Sequence, residues 1–343
     1  MSIVVELVKA MAPGRPIFPA PLISCPASAI ITMIIDFNIL SNIGGLGMNF
    51  EPSFFREETR CDFLVTEKRK KIWAVELQML EKFDQVCKKY QLSYYAYYGT
   101  LLGAVRHQGF IPWDDDIDLV MFRDDYEKFQ AIAPEEFKEP YFFQNSYTDR
   151  LLWPFSKIRD SRTTGAEPQF RSLGASFHQG IFIDIFPFDS VEDGVTPQFS
   201  TISQIQNLLW AAITNPEAIV TALENGHQLY LSTNFLLDLL KNEPKQRFKI
   251  FESFNLSCFG QSQKVNYIMS EICKEGDNYR SVNKSWFAGT VYLPFEHLRI
   301  PAPAEYDKIL TQCYGDYRQP IPGGSSHEEI FLDPDTPYRS YFS

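Results

Sequence analysis

A run of acidic side chains is the densest chemically active group in this sequence: Asp114, Asp115, Asp116 and Asp118 place four carboxylates within five residues. Carboxylates this close repel one another and raise one another's pKa values unless a cation binds them. From Asp116 to Val120 the composition indicates a strand, in which residues two apart point to the same face, about 6.6 Å apart along the chain. Asp116 and Asp118 are therefore predicted to project together and to bind Mg²⁺ or Mn²⁺, which prefer oxygen ligands.

A phosphate-binding turn is predicted shortly before the acidic run. An aromatic, β-type segment ends at Gly99 and Thr100, and a short helix is predicted from Leu101 to Arg106. The first turn of a helix has backbone N–H groups without partners, and these bind phosphate oxygens. An isolated Asp-x-Asp pair would more often be a solvated acidic turn or a Ca²⁺ loop, but the neighbouring Gly-Thr turn favours phosphoryl transfer.

The order strand, Gly-Thr, helix and Asp-x-Asp resembles the pattern of the nucleotidyltransferase superfamily, whose members usually add a third carboxylate from a later strand. Asp184 has this position, in an apolar strand predicted from Gly180 to Phe186 and closed by Pro187. Because a buried carboxylate needs a metal or a cationic partner, Asp184 is predicted as a third metal ligand and catalytic carboxylate. The alternative is a local cap or an ion pair with arginine. Asp189 is predicted to be a turn residue.

Four basic side chains are candidates for phosphate binding. Arg106 lies at the end of the predicted short helix and His107 follows it, whereas Lys157 and Arg159 share one face of a strand predicted near Trp153 to Arg159. Arg106 and Lys157 are predicted to stabilise the phosphate oxygens of a bound nucleotide. For each of the four, an ordinary surface charge is the alternative.

The hydrophobic pattern predicts an α+β or α/β sheet core with a helical subdomain. The resemblance to the nucleotidyltransferase superfamily implies the α+β class, with a nucleotidyltransferase-like mixed β-sheet core flanked by helices. The strongest element is a helix from about Glu67 to Tyr90, capped by Thr66, whose apolar side chains recur at three- and four-residue steps. The predicted division is an N-terminal extension (1–60), a catalytic core (61–195), a helical subdomain (196–285) and a C-terminal part (286–343).

Composition limits the classes of partner. The chain has 343 residues and a net charge of −11, which argues against broad nucleic-acid binding because that needs a basic surface. Its six cysteines have no zinc-site spacing, which favours free thiols in a reducing cytoplasm.

The apolar run from Ala27 to Ile35 is shorter than the roughly 20 residues that span a bilayer. A true start at Met48 is a hypothesis that the N-terminal mass of the native protein would test.

Residues 99–118 closely resemble the signature of the LicD family of phosphocholine transferases, which is related to the fukutin group. Supporting landmarks follow in the expected order: 155–160, 180–187, 314–317 and then His327. The resemblance covers roughly residues 67–332.

This resemblance implies transfer of phosphocholine from a nucleotide-diphosphate donor, typically CDP-choline, to a hydroxyl of a glycan or glycolipid acceptor. The acceptor would be a cell-surface precursor: teichoic acid, lipopolysaccharide or a capsule sugar. It implies that Asp116, Asp118 and Asp184 bind the metal and that Gly99 and Thr100 bind phosphate. We expect a cytoplasmic protein, with peripheral contact at the inner face of the membrane left open. Nucleotidyl or polyol-phosphate transfer is one alternative, and a non-catalytic metal- or glycan-binding module is another.

Overall fold

The computed structural model describes residues 50–151, 153–196, 198–269, 281–321 and 329–342. Most of the predicted N-terminal extension, the hypothetical start at Met48, and His327 lie outside these residues. The helices are α1 (Glu67–Tyr90), α2 (Tyr98–Arg106), α3 (Arg123–Glu136), α4 (Phe199–Thr214), α5 (Pro216–Glu224), α6 (Thr233–Leu240), α7 (Pro244–Cys258) and α8 (Tyr306–Tyr314). Short 3-10 helices are Pro52–Phe55, Pro168–Ser176, Lys284–Phe287 and Tyr338–Ser340.

Most of the strands are short. They are β1 (Glu58–Arg60), β2 (Phe63–Val65), β3 (Tyr95–Ala96), β4 (Asp118–Phe122), β5 (Tyr141–Gln144), β6 (Ser156–Asp160), β7 (Thr164–Ala166), β8 (Phe182–Val191), β9 (Lys264–Tyr267), β10 (Val282–Asn283), β11 (Thr290–Phe295), β12 (Leu298–Pro303) and β13 (Phe331–Asp333).

The main sheet is mixed and is built around its longest strand, β8. It has the order β10-β9-β8-β4-β3, and β6 pairs with β8 and with β5. β4 runs parallel to β8, whereas β6 and β9 run antiparallel to it. The helices flank this sheet, so the predicted α+β class with a mixed, helix-flanked sheet is confirmed.

Helix α1 has the predicted bounds. Thr66 accepts a hydrogen bond from the backbone N–H of Arg69 and caps the first turn, and Gln91 ends the helix in the left-handed conformation. The apolar face, which includes Trp73, Leu77 and Phe83, is fully buried. Burial of this face positions α1 behind the sheet, where its first turns reach the acidic loop between α2 and β4.

The prediction that Pro187 closes the strand is wrong. β8 continues through Pro187 to Val191. The antiparallel partner β6 pairs with β8 only up to Ile185, and β9 pairs from Phe188 onward. Pro187 lies between these two ladders, where the N–H group that proline lacks is least needed. One long strand thereby connects the two halves of the sheet.

Helices α4 to α7 lie between β8 and β9 in the chain and agree with the helical character predicted from residue 196. The strands β9 and β10 fall in the range predicted as a helical subdomain, yet both belong to the main sheet. The division into domains stays a prediction. Within the described ranges, no helix has both the length and the apolar character needed to cross a lipid bilayer.

Candidate functional site

Two aspartates meet across neighbouring strands at the centre of the sheet. In the parallel register of β4 and β8, Asp118 lies directly opposite Asp184, and the N–H of Asp184 donates to the carbonyl oxygen of Ile117 at 2.9 Å. Asp116 precedes β4 rather than lying in it, so strand alternation is not what brings it to Asp118. Asp116 nevertheless interacts electrostatically with both Asp118 and Asp184. The structure therefore brings together the three predicted carboxylates.

Burial and mutual repulsion make these carboxylates hard to ionise together. Burial is the main cause that raises the pKa of Asp116 to about 7; a hydrogen bond with Asp114 opposes it, and the charges of Asp184 and Asp115 add to it. Burial, followed by the charge of Asp116, raises the pKa of Asp118 well above its ordinary value. The positive charge of Lys157 has the opposite effect on both groups.

This donor set fits a divalent cation in its chemistry. Carboxylate oxygens are the ligands that Mg²⁺ and Mn²⁺ prefer, and a cation among repelling carboxylates removes their electrostatic cost. In the part of the chain that the structure describes, no group of three or more His, Cys, Asp or Glu side chains is arranged as a ready-made ligand set. The assignment of Asp116, Asp118 and Asp184 as metal ligands stays a prediction.

The predicted phosphate turn is the first turn of helix α2. Gly99 and Thr100 do not precede the helix, which already begins at Tyr98. The Thr100 Oγ1 accepts the backbone N–H of Asp118 at 2.8 Å, so the start of α2 is joined to the start of β4. A Cβ atom on Gly99 would lie 2.5 Å from Oδ2 of Asp114. The positive end of a helix dipole thus lies beside the acidic run.

Helix α1 is hydrogen-bonded to the acidic loop, a contact that no pattern in the sequence predicts. The carbonyl oxygen of Asp114 accepts hydrogen bonds from Nη1 of Arg69 at 2.8 Å and from Nε1 of Trp73 at 3.0 Å. The indole of Trp73 stacks on Phe110 with a centroid distance of 4.7 Å. Glu76, one turn further along α1, is fully buried, and burial raises its pKa well above the ordinary value. Helical periodicity gives only the buried face, so these polar contacts had no sequence signal.

Lys157 lies at the site, as predicted, but its ammonium group is engaged. Its Nζ is 2.9 Å from Oδ1 of Asp184 and 3.6 Å from Glu167. Arg159 shares the strand face, as predicted, and pairs with Glu167 at 2.5 Å. Arg159 is fully buried and also donates to the carbonyl oxygen of Gly180 at 2.8 Å. Arg159 therefore holds strands together, whereas Lys157 contacts the candidate site directly.

Arg106 and His107 make their described contacts elsewhere. Nη1 of Arg106 donates to the carbonyl oxygens of Tyr317 at 3.1 Å and Gln319 at 3.3 Å, and its Nε donates to the His107 ring at 2.9 Å. These bonds fasten the end of α2 to the C-terminal segment. The predicted phosphate role of Arg106 stays a prediction without a described contact in its favour.

Asp189 is not a turn residue, contrary to prediction. It is fully buried in β8 and forms a two-bond ion pair with Arg123, with both N–O distances at 2.7 Å. Glu252 lies 3.8 Å from the same guanidinium. Because Asp189 follows Asp184 by five residues along the strand, this network lies at the opposite end of β8 from the candidate site.

Comparisons with known proteins point to one family. Residues 91–212 match the family model described as the LicD/FKTN/FKRP nucleotidyltransferase domain. The chain is similar to the lipopolysaccharide cholinephosphotransferase LicD of Haemophilus influenzae, with 29% identity over 250 residues, which cover 70% of this chain and 88% of that protein. Uncharacterized proteins of Rickettsia typhi and Rickettsia prowazekii match over 58 residues, 17% of this chain, at 44% and 41% identity; these residues cover 19% and 22% of those proteins. The family match and the Haemophilus influenzae relative both support the predicted LicD family.

Proposed function

We propose that this chain is a LicD-type transferase that transfers phosphocholine from CDP-choline to a hydroxyl of a cell-surface glycan precursor. The observation that carries the proposal is the direct opposition of Asp118 and Asp184. Asp116 interacts electrostatically with both, and the start of α2 is hydrogen-bonded to Asp118 through Thr100. The relative from Haemophilus influenzae is a lipopolysaccharide cholinephosphotransferase. We propose a lipopolysaccharide-type acceptor, and a place of action in the cytoplasm at the inner face of the membrane.

The proposed reaction is an in-line displacement at the phosphorus that carries choline. The acceptor hydroxyl oxygen forms the new P–O bond, the bond to the CMP oxygen breaks, and CMP leaves with the electron pair. Asp184 or Asp118 takes the hydroxyl proton as general base. Lys157, held between Asp184 and Glu167, stabilises the phosphate oxygens. Backbone N–H groups at the start of α2, from Tyr98 to Thr100, bind the diphosphate.

Asp116, Asp118 and Asp184 would hold Mg²⁺ or Mn²⁺, which when bound supplies charge compensation for the diphosphate and the departing CMP. The acidic site would otherwise repel this donor, since Lys157 is the cation that the structure places directly against Asp184. We therefore expect donor binding to require a divalent cation.

The test is a transfer assay with the full chain. CDP-choline labelled in the choline is incubated with Mg²⁺ and lipopolysaccharide, and label in the glycan and free CMP are measured. Parallel reactions contain CDP-ribitol, CDP-glycerol or a nucleoside triphosphate. We expect the native protein to form equal amounts of labelled glycan and CMP. Asp118→Asn should form neither product. Transfer of a ribitol-phosphate, glycerol-phosphate or nucleotidyl group instead would exclude phosphocholine transfer and favour an alternative donor.

A further inference from the structure

A group of aromatic rings lies directly beside the candidate site on the same face of the sheet. Phe186 follows Asp184 by two residues in β8, so the two side chains share a face and lie about 6.6 Å apart along the strand. The ring of Phe186 has centroid distances of 4.8 Å to Phe155, 5.0 Å to Tyr267 and 5.7 Å to Tyr98. We call these four residues the aromatic cluster.

The aromatic cluster is partly open to solvent. Phe186 is the one residue of β8 that is not buried, and Phe155 and Tyr98 are half-buried as well. Trp153 extends the surface, with its ring 6.2 Å from Phe155 and 41% of its surface exposed. Two strands, one helix and one loop contribute rings to one place, and this arrangement leaves ring surface uncovered beside the aspartates.

The backbone at Tyr98 departs from the usual conformation. Its φ angle is +43°, a left-handed value that costs free energy for a bulky residue other than glycine. Tyr98 is also the first residue of α2, directly before Gly99. With this backbone conformation, the ring of Tyr98 contacts Phe186. Its peptide group lies at the start of α2, which we propose binds phosphate.

A cation already contacts one ring of the aromatic cluster. Nζ of Lys157 lies 5.2 Å from the ring centroid of Phe155 while it pairs with Asp184. Because Asp184 and Glu167 both lie within ion-pair distance of this ammonium, they offset its repulsion of a second cation. The aromatic cluster is thus a π surface within a locally acidic environment, which favours a positively charged ligand.

We propose that the aromatic cluster binds the trimethylammonium group of the donor's phosphocholine and selects choline over smaller amines, an inference that rests on the proposed function. A quaternary ammonium has no N–H to donate, so ring faces and nearby negative charge are the protein groups suited to it. In phosphocholine one oxygen and two methylene groups separate phosphorus from nitrogen. That reach matches the step from Asp184 to Phe186, so phosphate and cation can be bound at the same time.

The experiment measures dissociation constants of the full-length protein by calorimetry, with Mg²⁺ and without acceptor, for CDP-choline, CDP-ethanolamine and CDP. The native protein is expected to bind CDP-choline about 3- to 30-fold more tightly than CDP-ethanolamine. Phe186→Leu and Phe155→Leu should bring this ratio close to one while affinity for CDP stays the same. Tyr98→Phe keeps the ring and should keep the ratio, and so should Phe331→Leu, which alters an exposed ring on β13.

Two results would overturn the inference. One is that the native protein shows no preference for CDP-choline over CDP-ethanolamine. The other is that the leucine variants lose as much affinity for CDP as for CDP-choline, which would assign the rings to the nucleobase. The ratio compares two ligands on one sample, so partial unfolding of a variant cancels. Transfer of phosphocholine by the native protein without a preference for choline would end only the inference. Transfer of another group would end the proposed function.

Discussion

Asp118 on β4 and Asp184 on β8 occupy opposed positions in adjacent parallel strands, although 66 residues separate them in the sequence. Parallel pairing brings the same ends of two strands to one edge, and the start of α2 is joined to this edge by the hydrogen bond from the N–H of Asp118 to Thr100. Lys157 pairs with Asp184 from the other side of β8. This three-strand arrangement is the physical basis of the proposed transfer.

Loss of a single charge in this arrangement should reduce turnover strongly. We expect Asp116→Asn, Asp118→Asn and Asp184→Asn each to lower kcat by about 100-fold or more, since a metal contributes several kcal/mol to charge stabilisation. Circular dichroism should stay native. Asp124→Asn, an exposed position at the start of α3, is the matched control and should keep full turnover. Near-normal kcat in Asp118→Asn would refute the assignment of that carboxylate.

Thr100 should act on catalysis through the position of Asp118. Its Oγ1 accepts the backbone N–H of Asp118, and Thr100→Val removes the acceptor at nearly constant volume. Leaving this N–H unpaired costs about 1–3 kcal/mol, so we expect lower stability together with lower kcat. Thr100→Ser keeps the hydroxyl and should restore both; equal defects in the two variants would argue against the role of the hydrogen bond.

Two glycines of α2 should respond differently to alanine. A methyl group at Gly103 would collide with the backbone carbonyl oxygen of Gly109, so Gly103→Ala is expected to destabilise by about 1–3 kcal/mol. In an open helix the same change would stabilise, so the sign of the change in urea unfolding is diagnostic.

At Gly99 the new methyl group would meet only the carboxylate of Asp114, which can turn away. We expect Gly99→Ala to change the free energy of unfolding by less than about 1 kcal/mol but to lower kcat by about 10- to 100-fold, since it displaces a group beside the proposed phosphate site. Unchanged kcat would show that Gly99 has no part in donor positioning.

The Arg123–Asp189 ion pair should contribute to stability rather than to chemistry. Both groups are fully buried, and removal of one partner leaves an uncompensated charge, which costs about 3–5 kcal/mol. Asp189→Asn should therefore unfold at a lower urea concentration. Asp238→Asn, which breaks the exposed pair with Lys241, should change stability by less than about 0.5 kcal/mol.

Glu252 should make stability depend on pH. Burial raises its pKa to about 7, although the charge of Arg123 opposes this shift. The folded state then binds more protons than the unfolded state between about pH 4.5 and 7, so the free energy of unfolding falls as pH rises through this window. The loss attributable to this group is on the order of 3 kcal/mol.

Comparison of variants isolates this contribution. In urea titrations between pH 4.5 and 7.5, the free energy of unfolding of Glu252→Gln should fall less than that of the native protein. Glu224→Gln, at an exposed position, should show the same fall as the native protein. A native-like pH profile in Glu252→Gln would contradict the assignment.

Local patterns were sufficient for several elements. Helix α1 was predicted from Glu67 to Tyr90 with its cap at Thr66, and the structure has these bounds, because helical periodicity and capping depend on residues three or four apart. The α+β class and the LicD family were also available from the sequence, since the motif from Gly99 to Asp118 is continuous.

Contacts between distant segments decided the rest. The local composition around Pro187 and Asp189 predicts a strand end and a turn, yet β8 runs through both because its partner strands change there and Arg123 pairs with Asp189. The local sequence around Arg106 predicts a phosphate ligand. Its described hydrogen bonds to carbonyl oxygens are instead with Tyr317 and Gln319, more than 200 residues further along the chain. Residue types determined which chemistry is available; strand register and packing, which join residues far apart in the chain, determined which side chains meet.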